Sequence, residues 1–224
     1  GRGEYLPPAE YSFAEQVDGR GVYSFCMCPG GVIVPAATSQ GELVVNGMSN
    51  SKRSLPLANA GLVCEIRLED IAGADSNPLA GLEFQRQIEQ ACFEAGGGNF
   101  RAPAQRLADF ANKKLSQSHR DSSYYPGLAS CNLSGLLPKS VAARLAEALK
   151  AIGKKKKEFF TNEALIVAPE TRTSSPVFVC RNPETLESTN CTGLYPCGEG
   201  AGYAGGIVSA AIDGANVGQR IAKG

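Results

Sequence analysis

The chain has 224 residues, enough to bury a sizeable core in one large domain or two small ones. Its 22 Lys and Arg residues balance its 22 Asp and Glu residues, so its charge gives no reason to expect binding to nucleic acid or to an acidic membrane surface. No apolar run approaches the roughly 20 residues that a membrane helix needs, and we predict no membrane span.

The part of the chain before residue 70 is predicted to be rich in β-strands. Two apolar runs, Val22–Met27 and Val32–Val34, flank the sequence Pro29-Gly30-Gly31, which forms a turn that tolerates positive φ angles. This pattern predicts a β-hairpin. Two more strands are predicted within "ELVVNGMSN" and "AGLVCEIRL", which a polar stretch separates.

Three helices are predicted in the middle of the chain. The first covers residues 82–95, because mostly apolar side chains recur there at helical spacing before a run of glycines. The second lies in "APAQRLADFANKKL", with Pro103 near its start. The third opens at Pro138 and stops at Gly153. The loop before it contains the only histidine, His119, which we predict to be solvated.

The end of the chain is predicted to contain strands in "ALIVA", "SPVFVC" and "GLYPC", followed by a helix over Tyr203–Ile221. Gly200, Gly202 and Gly205 formally match the dinucleotide-binding pattern G-x-G-x-x-G. A working unit of that kind also needs a second strand and an acidic residue about 20 residues further on. Only 19 residues follow Gly205, so the match does not predict a complete unit.

A better interpretation of this stretch is the last strand, turn and helix of a larger nucleotide-binding domain. The glycines would leave the helix N-terminus uncovered, so that its free N–H groups and positive dipole end face an electron-rich ligand. Glu199 would then accept a hydrogen bond from a sugar or ribityl hydroxyl. The alternative from the same spacing is a helix packed unusually close to a sheet.

The eight cysteines are scattered, and they lack the paired spacing of zinc ligands. We therefore predict no metal site and interpret most of them as reduced core residues of an intracellular protein. A Cys-based metal or iron–sulfur site is the weaker alternative.

Several segments together resemble a known family. In chain order they are "VYSFCMCPGG", "NGMSNS", "PLAGLEFQRQIE", "GGGNFRAPAQRLADF", "ETRTSSPV" and "GLYPCGEGAGYAGGIVSAAIDG". They resemble the C-terminal portion of a largely uncharacterised family of FAD-dependent dehydrogenases with bacterial and plastid members, within the glutathione-reductase-like flavoprotein class. The family begins with an FAD-binding βαβ unit that this sequence lacks, so the resemblance implies a fragment.

The resemblance implies a mixed fold, α+β or α/β, in two parts. Residues 1–160 would form the middle, substrate-side domain, with strands first and helices after. Residues 161–224 would be the strand–helix return of a Rossmann-like FAD-binding domain. The parent protein would be an oxidoreductase that transfers hydride at flavin N5 to or from a small-molecule substrate, with NAD(P)H as a candidate electron donor. It would lie in the cytoplasm of a bacterium, or in the plastid of a plant or alga.

The resemblance also implies roles for particular residues. Glu199 would hold a ribityl hydroxyl, and the backbone around the next helix start would approach the flavin. The predicted cofactor-binding residues are Gly198, Glu199, Gly200, Gly202, Tyr203, Ala204, Gly205, Gly206 and Ile207.

Three residues are catalytic candidates. Arg172 is predicted to contact the flavin or an anionic substrate, or else to pair with Glu170 or a helix end. Cys26 and Cys28 are predicted to face the same side of a strand, as a redox pair or as a packed pair beside the ligand. The alternative for the whole chain is a cofactor-free fragment or interaction module without activity. The oligomeric state is left open.

Overall fold

We describe the fold from a computed structural model, in which residues 5–7 and 10–223 are described. The strands are β1 (Ala14–Val17), β2 (Arg20–Cys28), β3 (Gly31–Pro35), β4 (Val45–Ser49), β5 (Asn59–Cys64), β6 (Ala102–Arg106), β7 (Leu128–Ser130) and β8 (Leu165–Val167). The α-helices are α1 (Ala80–Ala95), α2 (Leu107–Ala111), α3 (Leu133–Leu136), α4 (Lys139–Lys155) and α5 (Ile207–Ala222). The predicted mixture of α and β structure is confirmed.

The chain folds as two units, which we describe separately. The first unit contains the described residues up to Arg67 together with Arg86–Thr171, and it holds all eight strands of the described chain. The second unit contains Leu68–Gln85 and the described residues from Arg172 onward, including α5. Among the described residues, no helix is both long enough and apolar enough to cross a membrane.

The first sheet has the order β1-β2-β5 and is antiparallel throughout. β1 and β2 are joined by the two-residue turn Asp18-Gly19, whose φ angles are +50° and +69°. Two successive positive φ angles define the hairpin turn that best matches strand twist, and Asp-Gly is one of its preferred sequences. This hairpin signal was present in the sequence and was missed.

The predicted hairpin around Pro29-Gly30-Gly31 is wrong. β2 and β3, on either side of it, belong to different sheets, and β3 pairs with β4 instead. The turn packs tightly against another segment, because a Cβ atom on Gly30 would overlap the backbone of Arg53. The amide of Gly31 donates to the carbonyl of Leu57 at 2.8 Å. These contacts direct the chain away from β2.

Residues 102–106, which were predicted to begin a helix, form the central strand of the sheet β7-β6-β8. β6 is parallel to β7 and antiparallel to β8. Ala102 and Ala104 are fully buried, and the Gln105 amide is satisfied by the carbonyl of Lys114 and the N–H of Leu133. Pairing on both sides outweighs local helical propensity here, and the helix begins only at Leu107.

The core of the first unit lies between α4 and the first sheet, and it extends to α2 and α3. α4 contacts β1, β2 and β5, and the face predicted from its periodicity is largely the buried one. Its buried residues are Ala142, Leu145, Ala146, Ala148, Leu149 and Ile152.

The predicted strands in "SPVFVC" and "GLYPC" are wrong. Between Arg172 and Gly206 the only β-type backbone pairing is an isolated bridge between Arg181 and Ser188. No described strand of the second unit lies beside this segment to pair with it. Its backbone is held in turns instead; the Asn182 side-chain oxygen, for example, accepts hydrogen bonds from two following backbone N–H groups.

Gly153 was predicted to end α4, but the helix continues past it to Lys155. A Cβ atom at position 153 would lie 2.5 Å from the Cβ atom of Phe160. We therefore expect Gly153→Ala to lower the free energy of unfolding by about 1–3 kcal/mol through overpacking. Gly135 in α3 faces open space, so the control Gly135→Ala should instead raise stability by about 0.5–1 kcal/mol. Urea titrations of both variants test this, and equal effects would contradict the steric explanation.

Candidate functional site

The glycine-rich loop predicted to bind the cofactor lies in the second unit, immediately before α5. Its first turn is closed by two hydrogen bonds, from Gly202 N to Glu199 O at 3.0 Å and from Tyr203 N to Gly198 O at 2.9 Å. Gly198 and Gly202 have φ angles of +72° and +88°, which disfavour any residue with a side chain. A Cβ atom on Gly202 would also lie 2.9 Å from the Phe178 ring.

One ion pair anchors this loop to α5. Arg181 and Asp213 form a bidentate pair, with Nη2 to Oδ1 at 2.7 Å and Nη1 to Oδ2 at 3.0 Å. Their side chains are only 10% and 14% exposed. Asp213 Oδ2 also accepts the N–H of Gly198 at 2.8 Å, and Arg181 Nη1 donates to the carbonyl of Pro196 at 2.8 Å. We call this arrangement the Arg181–Asp213 clasp.

The clasp changes the proton affinity of both of its members. The hydrogen bond from Arg181 is the main reason that the pKa of Asp213 is lowered, and the Gly198 N–H lowers it further. The pKa of Arg181 is raised, chiefly by its hydrogen bond to Asp213. Both groups therefore remain charged at neutral pH, and the loop is held by a charge-assisted bidentate contact.

The Tyr203 side chain contacts both the backbone and the guanidinium of Arg181. Its hydroxyl accepts the N–H of Arg181 and donates to the carbonyl of Val179, both at 3.1 Å. The Arg181 guanidinium lies 3.6 Å from the centre of the Tyr203 ring, which also contacts the Phe178 ring. The side chain of Tyr203 thus has a structural role in this loop.

The start of α5 is uncovered. Gly206 precedes the helix in an extended conformation, and Cβ atoms on Gly205 or Gly206 would meet no atom within 4 Å. The N–H of Gly205 is taken by Ser209 Oγ at 3.3 Å. Within the described chain, no hydrogen-bond acceptor is found for the N–H groups of Ile207 and Val208, which begin the helix. These donors are available to a ligand.

The remaining predicted cofactor residues lie in the same loop. Glu199 is half-buried, and its carboxylate makes no hydrogen bond or ion pair with the described residues. Gly200 is exposed, and its carbonyl accepts the Ser175 hydroxyl at 3.1 Å. Ala204 is half-buried beside Tyr203 in sequence. The loop therefore combines free N–H donors with one free carboxylate.

The catalytic candidates divide between the units. Arg172 is exposed in the second unit. Cys26 and Cys28 lie in the first unit, and the expectation that they share one strand face is wrong. The register of β2 against β5 shifts between Phe25 and Cys28, and Cys26 has a φ angle of +47°, so a β-bulge interrupts the alternation.

Two further predictions concern metals and the histidine. Within the described residues, no group of three or more His, Cys, Asp and Glu side chains is arranged to hold a metal ion. The prediction that His119 is solvated is wrong, because the ring is half-buried and its Nε2 lies 3.0 Å from the carbonyl of Ala104. Ser130 Oγ lies 3.3 Å from the same nitrogen. His119 ties its loop to β6 and β7.

Sequence reasoning missed the two residues of the clasp. Asp213 is the only acidic residue of α5, a helix that is otherwise apolar or neutral until its last turns. An isolated carboxylate in such a helix indicates a buried partner, because burying an unpaired charge is unfavourable. That signal could have identified Asp213. Nothing local identified Arg181, which lies 32 residues away.

The first unit contains two carboxyl side chains, Glu89 and Glu170, that are partly or fully buried. Glu89 of α1 is only 2% exposed, and its Oε1 accepts the Thr171 hydroxyl at 2.5 Å. Glu170, which precedes Thr171 in the sequence, is half-buried, and burial raises its pKa to about 7. Glu170 therefore gains or loses a proton near neutral pH.

Comparison with known proteins assigns the family. The sequence model of a family described as "FAD-dependent protein, C-terminal domain-like" matches residues 1–173. The chain belongs to this family. It is also 46% identical over 220 residues to a protein of Clostridium beijerinckii named only "Uncharacterized protein". The alignment covers 96% of this chain but 41% of that protein, so the chain spans about two-fifths of the relative's length.

Membership links the chain to FAD-dependent proteins and to a flavoprotein-related role. The family match ends at residue 173, before the glycine-rich loop and α5. It therefore covers the first unit and α1 but does not reach residues 198–207, whose cofactor-binding role remains a prediction.

We expect Asp213→Asn to loosen the glycine-rich loop. The variant leaves the Arg181 cation only 10% exposed and without its counter-charge, which should lower the free energy of unfolding by about 1–3 kcal/mol at pH 7. Because the pKa of Asp213 is lowered in the folded protein, its contribution is present above the ordinary aspartate pKa of about 3.9 and is lost as pH falls below that value. The difference between the two proteins should therefore shrink in acid.

Hydrogen exchange gives the local measurement. The Gly198 N–H, which donates to Asp213, should exchange faster in the variant, whereas the Ala102 N–H in the first unit should not change. Unaltered protection of Gly198 at pH 7 would show that the clasp does not hold the loop.

Glu170→Gln should change how stability depends on pH. The folded-state pKa of Glu170, about 7, lies above the ordinary glutamate value, so ionisation opposes folding as pH rises from about 4.3 to 7. The variant lacks this loss and should be more stable than the wild type at pH 8, by up to about 3 kcal/mol. Near pH 4 the two should match. The exposed Glu94→Gln is the control, and parallel stability profiles for Glu170→Gln and the wild type would contradict the interpretation.

Proposed function

We propose that the chain supplies part of the flavin site of an FAD-dependent oxidoreductase acting on a small-molecule substrate. The observation that carries the proposal is the uncovered N-terminus of α5, in a loop that also contains the half-buried carboxylate of Glu199, which has no partner among the described residues. The family match supports the cofactor. When bound, FAD supplies the hydride chemistry of such an enzyme.

The donors of the site fit the electron-rich edge of a flavin. The N–H groups of Ile207 and Val208 and the positive end of the α5 dipole favour negative charge, which reduced flavin carries near N1 and O2. Gly205 and Gly206 leave the space in front of these donors open. The clasp holds the loop in place before any ligand arrives, so that less ordering is needed on binding.

Glu199 fits the hydroxyl groups of the cofactor. Its carboxylate is half-buried and accepts no hydrogen bond from the described residues. A hydroxyl donor from the ribityl chain would satisfy it, as charge-assisted hydrogen bonds are stronger than neutral ones. The hydrogen bond from the Gly202 N–H to the Glu199 carbonyl fixes the backbone of Glu199 in the turn.

The apolar surface of α5 supports the proposed division into domains. Ile207, Val208 and Ile212 are 84%, 73% and 58% exposed, although they are large and apolar. The predicted boundary at residues 160 and 161 does not coincide with the division into units, because β8 pairs with β6 in the first unit. We propose that the described residues from Arg172 onward belong to a Rossmann-like FAD-binding domain, that these side chains pack against the rest of that domain, and that the first unit forms the substrate-side domain. The alignment covers 41% of the Clostridium relative, so the other 59% of that protein lies outside it. This additional length supports the proposed division.

The catalytic assignments follow from exposure and charge. Arg172 is exposed, and we propose that its guanidinium contacts the flavin or an anionic substrate. Cys26 is exposed and Cys28 half-buried, so both thiols are candidates for contact with a substrate. The exposed apolar face of α5 also favours a second function, an interaction module without cofactor, and the measurement below separates the two.

We expect Glu199→Ala, in the full-length protein, to weaken FAD binding by about 1–3 kcal/mol, or roughly five- to 150-fold in Kd, because a cofactor hydroxyl loses its acceptor. Flavin absorbance during titration of the apoprotein measures this. The control is Glu184→Ala, an exposed glutamate of the same unit, which should bind FAD like the wild type.

Gly205→Val provides a second probe of the same site. Position 205 has open space around it and no positive φ angle, so valine should be tolerated by the fold while filling the space before the α5 donors. FAD affinity should drop at least tenfold with little change in melting temperature. If neither Glu199→Ala nor Gly205→Val altered FAD binding, the cofactor function of this loop would be refuted and the interaction module favoured.

A further inference from the structure

The β-bulge in β2 places Cys26 in an unusual backbone conformation. Phe25 lies opposite Gly61 and Cys28 lies opposite Asn59, so three steps along β2 match two along β5. Cys26, within the bulge, has a φ angle of +47°. Residues other than glycine seldom adopt such an angle, and where they do the site is often functional.

The bulge turns the Cys28 thiol back along its own strand. Cys28 Sγ donates a hydrogen bond to the carbonyl of Cys26 at 3.4 Å. The sulfur of one cysteine therefore lies beside the backbone of the other. Cys26 is exposed and Cys28 is half-buried, so a reagent in solution reaches Cys26 first. Exposure therefore makes Cys26 the candidate attacking thiol and leaves Cys28, two residues further on, as the candidate resolving thiol.

Two glycines allow close packing around Cys28 and its partner on β5. A Cβ atom on Gly31 would lie 2.5 Å from the Met48 carbonyl oxygen and 2.9 Å from the Cys28 Cβ atom, and one on Gly47 would overlap the side-chain oxygen of Asn59. Neither glycine has a positive φ angle, so the close approach of these neighbours explains their presence.

The neighbour of Cys28 on β5 carries an unsatisfied donor. The Asn59 Nδ2 atom is buried and has no hydrogen-bond partner among the described residues. Buried donors are normally paired, and an exception calls for an explanation. A thiolate at Cys28, directly opposite in the register, would supply an acceptor.

We propose that Cys26 and Cys28 form a thiol–disulfide exchange site that reduces small disulfides. The Cys26 sulfur attacks one sulfur of the disulfide R–S–S–R, forms a mixed disulfide and releases one RS⁻. The Cys28 sulfur then attacks the Cys26 sulfur and releases the second RS⁻. The two protein thiols give up two electrons and two protons, and the products are an internal disulfide and two RSH molecules. The step is independent of the proposed flavin site.

Peptide mass spectrometry tests the proposal directly. Trypsin cleavage after Arg20 and Lys52 gives peptide 21–52, which contains Cys26 and Cys28 but none of the other six of the eight cysteines. The reduced protein is treated with oxidised glutathione, and the remaining thiols are then alkylated. We expect this peptide to be lighter than the reduced form by two hydrogen atoms, with neither glutathione nor the alkyl label. Two alkyl labels, or glutathione retained on both cysteines, would overturn the proposal.

Two variants assign the roles of the thiols. Cys28→Ser should trap one glutathione on Cys26, whereas Cys26→Ser should leave Cys28 largely without glutathione because that residue is half-buried. Exposed Cys180, in peptide 173–181, confirms in every sample that the reagent reacted. Equal glutathione uptake by the two variants would refute the assigned order. The mass measurement on the wild-type protein tests the proposal even if a variant fails to fold.

Discussion

The bidentate ion pair between Arg181 and Asp213 holds the second unit in its observed conformation. The segment before α5 contains no strand, so sheet hydrogen bonds do not order it. The pair anchors it instead, with the same carboxylate accepting the Gly198 N–H and the same guanidinium covering the Tyr203 ring. The open start of α5 and the position of Glu199 both depend on this anchor. A charge-assisted contact between two nearly buried groups is strong enough for that role.

In the first unit, close packing around three glycines constrains the structure in a comparable way. Gly31 leaves room for Cys28 and the Met48 carbonyl, Gly47 leaves room for Asn59, and Gly153 leaves room for Phe160. None of these three has a positive φ angle, so each is required by its neighbours and not by its own backbone. The close packing of protein interiors makes such positions intolerant of even one added methyl group. The bulge at Cys26 persists within this tightly packed setting.

The two sites that we propose use different chemistry in different units. The loop before α5 offers backbone donors and a carboxylate, which suits an oxygen-rich, anionic cofactor. The bulge in β2 offers two thiols and a buried amide donor, which suits sulfur exchange. Each of the two sites contains a polar group that lacks a partner among the described residues. Since unpaired polar groups are unfavourable when buried, both observations point to a ligand or a reaction.

Sequence patterns alone predicted the helices α1, α4 and α5 and the strands β2, β3, β4, β5 and β8. The periodicity of side chains and the turn residues that predict these elements lie within the elements themselves. Tertiary structure decided the rest. Ala102–Arg106 became a strand because β7 and β8 pair with it, and "SPVFVC" did not become one because no described strand of its unit lies beside it. The clasp joins residues 32 positions apart, and the bulge at Cys26 depends on register with β5. Such pairings depend on which distant segments fold together, and no local pattern records that.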